Sequence, residues 1–207
     1  MTLWELFLKG GPMMWPLLAC SVIALGIFIE RLIALRPGLI IPQDLVDEVE
    51  RLSRMHRLGD MEQLLRRSSS PISPVILVAI RNAGKRREII KDYMEEAGAA
   101  EAYAIDRYID ILGIIATISP LLGLLGTVSG MIASFHAIGV QGSQGPMLAA
   151  GISEALITTA AGLSIAIPVY VGYRFLMARS DYLLLEMEKT SARILEYIKG
   201  EDHEIQA

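Results

Sequence analysis

The chain has a single cysteine, Cys20, which excludes an intrachain disulfide and any cysteine-based metal cluster. It has no sustained basic patch and a formal charge of −4, so a nucleic-acid partner is not expected. Glycine-rich phosphate loops and alternating strand patterns are also missing. The three histidines, His56, His136 and His203, show no metal-ligand spacing, and no Ser/His/Asp or Cys/His set is visible. Catalysis, a bound metal and a cofactor are therefore not expected. The most informative absence is of charge. From Ile111 to Tyr173 there is no Asp, Lys or Arg, and Glu154 is the only carboxylate.

What remains is apolar. Of 207 residues 53% are hydrophobic and the mean hydropathy is +0.44, high for a soluble domain. The pattern predicts an all-α integral membrane protein. A bilayer core about 30 Å thick needs about 20 helical residues, and three stretches qualify. They are residues 13–35, 109–139 and 147–177. The last two exceed a span and are expected to tilt or extend into the cytoplasm. Around them lie a periplasmic segment (1–12), a cytoplasmic helical region (36–108), a periplasmic turn (140–146) and a cytoplasmic helix and tail (178–207).

Arg31, Arg36, Arg107, Arg174 and Arg179 all fall on one surface, with only Lys9 facing them across the bilayer. The positive-inside rule then puts the N-terminus outside and the C-terminus in the cytoplasm. A cleavable signal is the competing reading, because Leu17-Leu18-Ala19-Cys20 resembles a lipoprotein cleavage site. Against it, the apolar run continues to Ile29 and ends at Glu30-Arg31, a stop-transfer pattern.

In the cytoplasmic region Asp44 is expected to cap a helix carrying Leu45, Val49 and Leu52. Gly59-Asp60 and Ser68–Pro71 punctuate further short helices, and Ser73-Pro74 opens the one containing Val75 to Ile80. Residues 87–110 read as a helix running directly into the second span. Leu183, Leu184, Met187, Ser191, Ile194, Leu195 and Ile198 form a helical stripe beyond the third. The charges of Lys85-Arg86-Arg87 and Glu95-Glu96 read as a solvated face.

Within the second span Gly113, Ala116, Pro120, Gly123, Thr127, Gly130 and Ser134 recur at steps of three and four, widened by Ser119, Gly126 and Ala133. The third span repeats this with Gly151, Glu154, Thr158, Ala161, Ile165, Pro168 and Gly172, and Gly162 belongs to the same small-residue set. Small residues let membrane helices approach closely, since lipid gives them no hydrophobic incentive to associate. Pro120 and Pro168 each leave a carbonyl without its donor and are hinge candidates. Plain packing explains the glycines and serines. For Thr127, Thr158 and Thr159 packing and a polar path compete. A packing surface gains nothing from an acid, and an ionisable group at a membrane midplane costs about 2.5–3.5 kcal/mol. Glu154 therefore serves function, structural pairing or a shallow position.

Two segments resemble the ExbB/TolQ/MotA proton-channel family. Ser119-Pro-Leu-Leu-Gly-Leu-Leu-Gly-Thr-Val-Ser-Gly-Met131 resembles its second-span signature. Gly151-Ile-Ser-Glu-Ala-Leu-Ile-Thr-Thr-Ala-Ala-Gly162, followed by Ala166-Ile-Pro168, resembles the third. The run of residues 10–18 and Ile29-Glu-Arg-Leu32 resemble ExbB-like members. Ser129 departs from the tryptophan many of them carry, and three spans favour the ExbB/TolQ branch over four-span stators. The resemblance implies a pentameric ring of this chain in a bacterial inner membrane, enclosing two copies of a single-span ExbD/TolR-like partner. Proton influx would then drive force on a TonB- or TolA-like protein. By motif position Thr127, Glu154 and Thr159 match polar residues lining the family's pore, whereas Thr158 neighbours Glu154 by helical geometry alone.

The alternatives are a TolQ-type envelope-maintenance or gliding motor, and a passive membrane scaffold. An intramembrane enzyme would need paired catalytic groups inside the spans, and these are missing.

Overall fold

The structure, a computed structural model, describes residues 3–141 and 145–199. Among these residues there are helices and no strands. The expected turn at 140–146 falls partly outside the described residues, at 142–144, and so does the tail from residue 200 with His203. Two compact units are distinguished: Met1–Arg31 with Tyr108–Phe175, and Leu32–Arg107 with Leu176–Ala207.

The first unit contains α1 (Leu3–Lys9), most of α2 (Met14–Ala34), α8 (Ile109–Gln141) and the N-terminal part of α9 (Gly145–Lys199). Among the described residues three helices, α2, α8 and α9, are long and apolar enough to cross a membrane. Their outward positions are apolar as well: Val22, Ile23 and Leu25 on α2, Leu121, Leu124 and Ile132 on α8, Leu156 and Ile167 on α9. A water-soluble protein would not present so much continuous apolar surface, whereas a lipid-solvated one does. The segment before α2 holds a short helix, α1, and then a turn at Gly10–Pro12. Phe7 of α1 stacks edge-on against Trp15 of α2 with ring centroids 5.2 Å apart.

α8 and α9 run antiparallel, because Ser119 lies opposite Gly162 while Gly130 lies opposite Gly151. Both helices continue through their prolines, Pro120 and Pro168. α2 meets the later part of α9 where the Phe28 ring covers Gly172, so that a Cβ there would stand 3.0 Å from the ring. Beside it lies an apolar groove of about 640 Å³, lined by Ala24, Leu25, Phe28, Pro168, Gly172 and Phe175 among others.

The second unit is built from α3 (Pro37–Ile40), α4 (Gln43–Arg54), α5 (Leu58–Arg67), α6 (Ile72–Arg81), α7 (Arg87–Asp106) and the C-terminal part of α9. Val46, Val49, Leu65, Ile76, Ile90 and Ile194 fill its core. Along α9, Leu183, Met187, Ser191, Ile194 and Leu195 are buried, and Leu184 and Ile198 are half-buried, which is the stripe read from the sequence. Lys85, Arg86, Arg87, Glu95 and Glu96 are exposed. Arg87 pairs with Glu196 at 3.2 Å, and Lys91 pairs with Glu95 at 3.3 Å.

Several local expectations are corrected. Asp44 is not the cap of α4. Pro42 holds that place and Asp44 lies in the first turn, where its charge complements the helix dipole. The break before α5 falls at His56 and not at Gly59-Asp60, which lie inside the helix. His56 has φ +55; its N–H bonds to Ser53 O and that of Arg57 to Leu52 O, a Schellman ending that glycine more often supplies. α6 begins at Ile72, one residue before Ser73, and its approach is held by Ser70 Oγ at 2.8 Å from Ser73 Oγ. Finally, residues 87–110 are not one helix. The ladder is interrupted at Arg107-Tyr108, although Arg107 keeps helical dihedrals and still bonds to Tyr103 O.

Candidate functional site

The site is built on the α8–α9 pair. At five places the two backbones approach with only hydrogen or a small side chain between them. A Cβ on Gly162 would stand 2.7 Å from Ser119 O, and one on Gly123 would stand 3.1 Å from Thr158 O. On Gly126 it would collide with the Thr158 side chain, and on Gly151 with Ser134 Oγ. A Cβ on Gly130 would stand 3.3 Å from Gly151 O. The small-residue stripes of the two helices thus close on each other within one chain, and Pro120 stands beside this seam next to Ser119.

The hydroxyls along the seam are occupied. Ser119 Oγ donates to Ile115 O and Ser134 Oγ to Gly130 O, each at 2.8 Å, and Thr117 Oγ1 donates to Gly113 O at 3.0 Å. These satisfy the polar groups inside their own helix, which is how a lipid-embedded hydroxyl avoids an unpaired donor. The three threonines singled out by the sequence do three different things. Thr127, half-buried, donates to Leu124 O of its own helix at 2.7 Å. Thr159 donates across the seam to Gly123 O at 3.2 Å and so ties α9 to α8. Thr158 is 1% exposed, with Glu154 O at 2.8 Å and Gly10 O at 2.9 Å from its hydroxyl.

Glu154 is half-buried, and its carboxyl meets the turn between α1 and α2. A Cβ on Gly11 would collide with Glu154 Oε1, and Gly11 has φ +67, a conformation that glycine adopts without strain. Among the described residues no ion pair or hydrogen bond joins the carboxyl to another group, and its close contact is with Gly11. Of the sequence-predicted residues, then, Glu154 and Thr158 come together, while Thr127 and Thr159 are bonded elsewhere. Gly10 and Gly11 complete the surroundings of Glu154. The sequence marks them as a Gly-Gly-Pro turn, but nothing in their spacing points to a residue 143 positions later. No group of three His, Cys, Asp or Glu among the described residues is placed to hold a metal ion.

Chemically the arrangement offers one titratable group in an apolar helix pair, flanked by backbone carbonyls and hydroxyls. Glu154 is the only carboxylate between Ile111 and Tyr173.

Comparison with known proteins gives this site a family. The MotA/TolQ/ExbB proton channel family matches residues 67–189. A putative biopolymer transport protein ExbB-like 1 of Synechocystis sp. is 33% identical over 183 residues, covering 83% of this chain and 69% of that protein. The biopolymer transport protein exbB1 of Vibrio cholerae is 29% identical over 196 residues, 92% of this chain and 86% of that protein. A Tol-Pal system protein TolQ of Haemophilus influenzae is 39% identical over a shorter 95 residues, 44% of this chain and 42% of that protein. With three helices fit to cross a membrane, and with the match running through α8 and most of α9, the chain belongs to the MotA/TolQ/ExbB proton channel family.

Proposed function

We propose that this chain is the ring-forming, ExbB/TolQ-like subunit of a proton-driven motor in a bacterial inner membrane. Five copies enclose two copies of a single-span ExbD/TolR-like partner. Proton influx is coupled to movement of that partner and to force on a TonB- or TolA-like protein. The N-terminus is periplasmic and the C-terminus cytoplasmic. The observation that carries this reading is Glu154, a carboxylate without an ion pair among the described residues, in an apolar helix pair of a proton-channel family member. Thr127 and Thr159 join it as polar residues of the proton path, and Gly123, Gly126, Gly130 and Gly162 hold α8 and α9 together. Pro120 and Pro168 leave the carbonyls of Ala116 and Ser164 free to accept other donors.

Moving one charge through 100 mV is worth about 2.3 kcal/mol, enough to bias a two-state helix packing when repeated. Residues 13–35 and the stretch from Ile111 to Tyr173 carry no Asp, so the titrating carrier that completes the path belongs to the partner. The Synechocystis and Vibrio biopolymer-transport relatives align over most of this chain and the Haemophilus TolQ over less than half, which supports transport across the outer membrane over envelope maintenance.

Two measurements test this. Native mass spectrometry of the complex purified by this chain should give five copies with two of a small single-span protein. Proton flux in proteoliposomes should fall at least about tenfold in Glu154→Ala, about 1.4 kcal/mol on the barrier. Undiminished flux in an assembled Glu154→Ala complex would refute the role of Glu154. A stable monomer or dimer without such a partner would instead favour a scaffold.

A further inference from the structure

The α1–α2 turn touches α9 at three successive points. A Cβ on Gly10 would come within 3.3 Å of Ile157 Cγ2, the Gly10 carbonyl accepts from Thr158 Oγ1 at 2.9 Å, and Gly11 lies against Glu154 Oε1. Thr158 is suited to this place by both halves of its side chain. Its methyl fills the space left by Gly126, and its hydroxyl reaches the turn. The positive φ of Gly11 and its missing side chain are both required, since any L-residue there would be strained and would also displace the carboxyl.

We propose that Gly11 and Thr158 are positioning residues for Glu154. The turn, clipped to α9 through the Thr158 hydroxyl, is a seat that fixes where the carboxyl rests. A glutamate side chain has three rotatable bonds and, unpaired, would sample many positions. The seat restricts it sterically while leaving its oxygens free to exchange a proton. This inference rests on the reading of Glu154 as the proton-path carboxyl, and its consequence is that loosening the turn changes the availability of that carboxyl without altering α8.

The test is the rate at which dicyclohexylcarbodiimide modifies Glu154 in the complex purified from membranes, read by peptide mass spectrometry. Gly11→Ala and Thr158→Val should each raise the rate by at least roughly fivefold, the scale of one net hydrogen bond or one strained residue. Thr158→Ser should stay within about twofold of the native rate. Val keeps the shape and loses the hydroxyl, while Ser keeps the hydroxyl and loses the methyl. A purely packing role for Thr158 therefore predicts the opposite order, and that order overturns the proposal. Native rates in both Gly11→Ala and Thr158→Val overturn it too. If Gly11→Ala does not assemble, the Thr158 pair decides alone. Proton flux through Glu154→Gln, measured on the same preparations, is a separate matter. Unchanged flux would remove the functional reading while the seat stands or falls on the labelling rates.

Discussion

Substituting Gly162 by Ala puts a methyl group where the α8–α9 seam has no room. The new Cβ would lie 2.7 Å from Ser119 O and 3.1 Å from Gly123 Cα, both backbone atoms that cannot rotate aside. Restoring an ordinary contact requires the helices to part by roughly 0.7 Å at that point, and overpacking of this kind costs about 1–3 kcal/mol. The Thr159–Gly123 hydrogen bond, already 3.2 Å long, would weaken as well. Alanine also favours helix over glycine by about 1 kcal/mol, which would mask part of the loss. Gly26→Ala supplies the control, because its Cβ would meet nothing within 4 Å and only the helix-propensity gain remains. The difference between the two variants therefore isolates the seam. Unfolding of the purified chain by sodium dodecyl sulfate in mixed micelles, followed by far-ultraviolet circular dichroism, measures it. Gly162→Ala should unfold at lower detergent fraction than Gly26→Ala by an equivalent of about 1–3 kcal/mol. Equal midpoints would refute the close approach of α8 and α9.

The second unit yields three further expectations. Ile194→Ala, at a position with 0% exposure, should destabilise by about 2–5 kcal/mol in a thermal melt. Ser180→Ala removes the 2.6 Å hydrogen bond to Asp106 Oδ1 at a fully buried position and should cost about 1.5–3 kcal/mol by the same measurement. Partial burial on α7 raises the Glu101 carboxyl above its ordinary value of 4.5, so the folded state holds its proton to higher pH than the unfolded chain does. Stability therefore falls as pH rises from 4.5 through the raised folded value. Glu101→Gln should abolish that dependence and be the more stable protein at neutral pH, as melts at several pH values would show.

The sequence spoke plainly wherever one physical requirement dominated. Lipid demands about 20 apolar residues per span, and α2 and α8 fall close to the expected limits. The stripe from Leu183 to Ile198 was legible because one helix face must bury it. Breaks were harder to read. The ladder gap at Arg107-Tyr108 carries no Gly or Pro, and the left-handed residue ending α4 is a histidine, so neither has a compositional mark. The fold itself had to supply those positions. In the candidate site, Glu154 stood out because charge is costly in lipid, and the small residues because they repeat. That both small-residue stripes are spent on each other, and that Glu154 meets Gly11, depends on which helices pair across the chain. Periodicity along one helix carries no information about that choice.

A seam made of glycine and backbone has a thermodynamic character of its own. Closing it freezes few side-chain rotamers, those of Ser134, Thr158 and Thr159, so little entropy opposes it, but it also has few rotamers through which to yield. Packed side chains give an interface some slack, since one can hop while its neighbours hold. Between Gly123, Gly162 and the Ser119 carbonyl there is no such slack. Within the first unit α8 and α9 therefore behave as a single stiff plank. Any change of shape there must be taken up at softer places such as the open apolar groove beside Phe28, where side chains and space allow it.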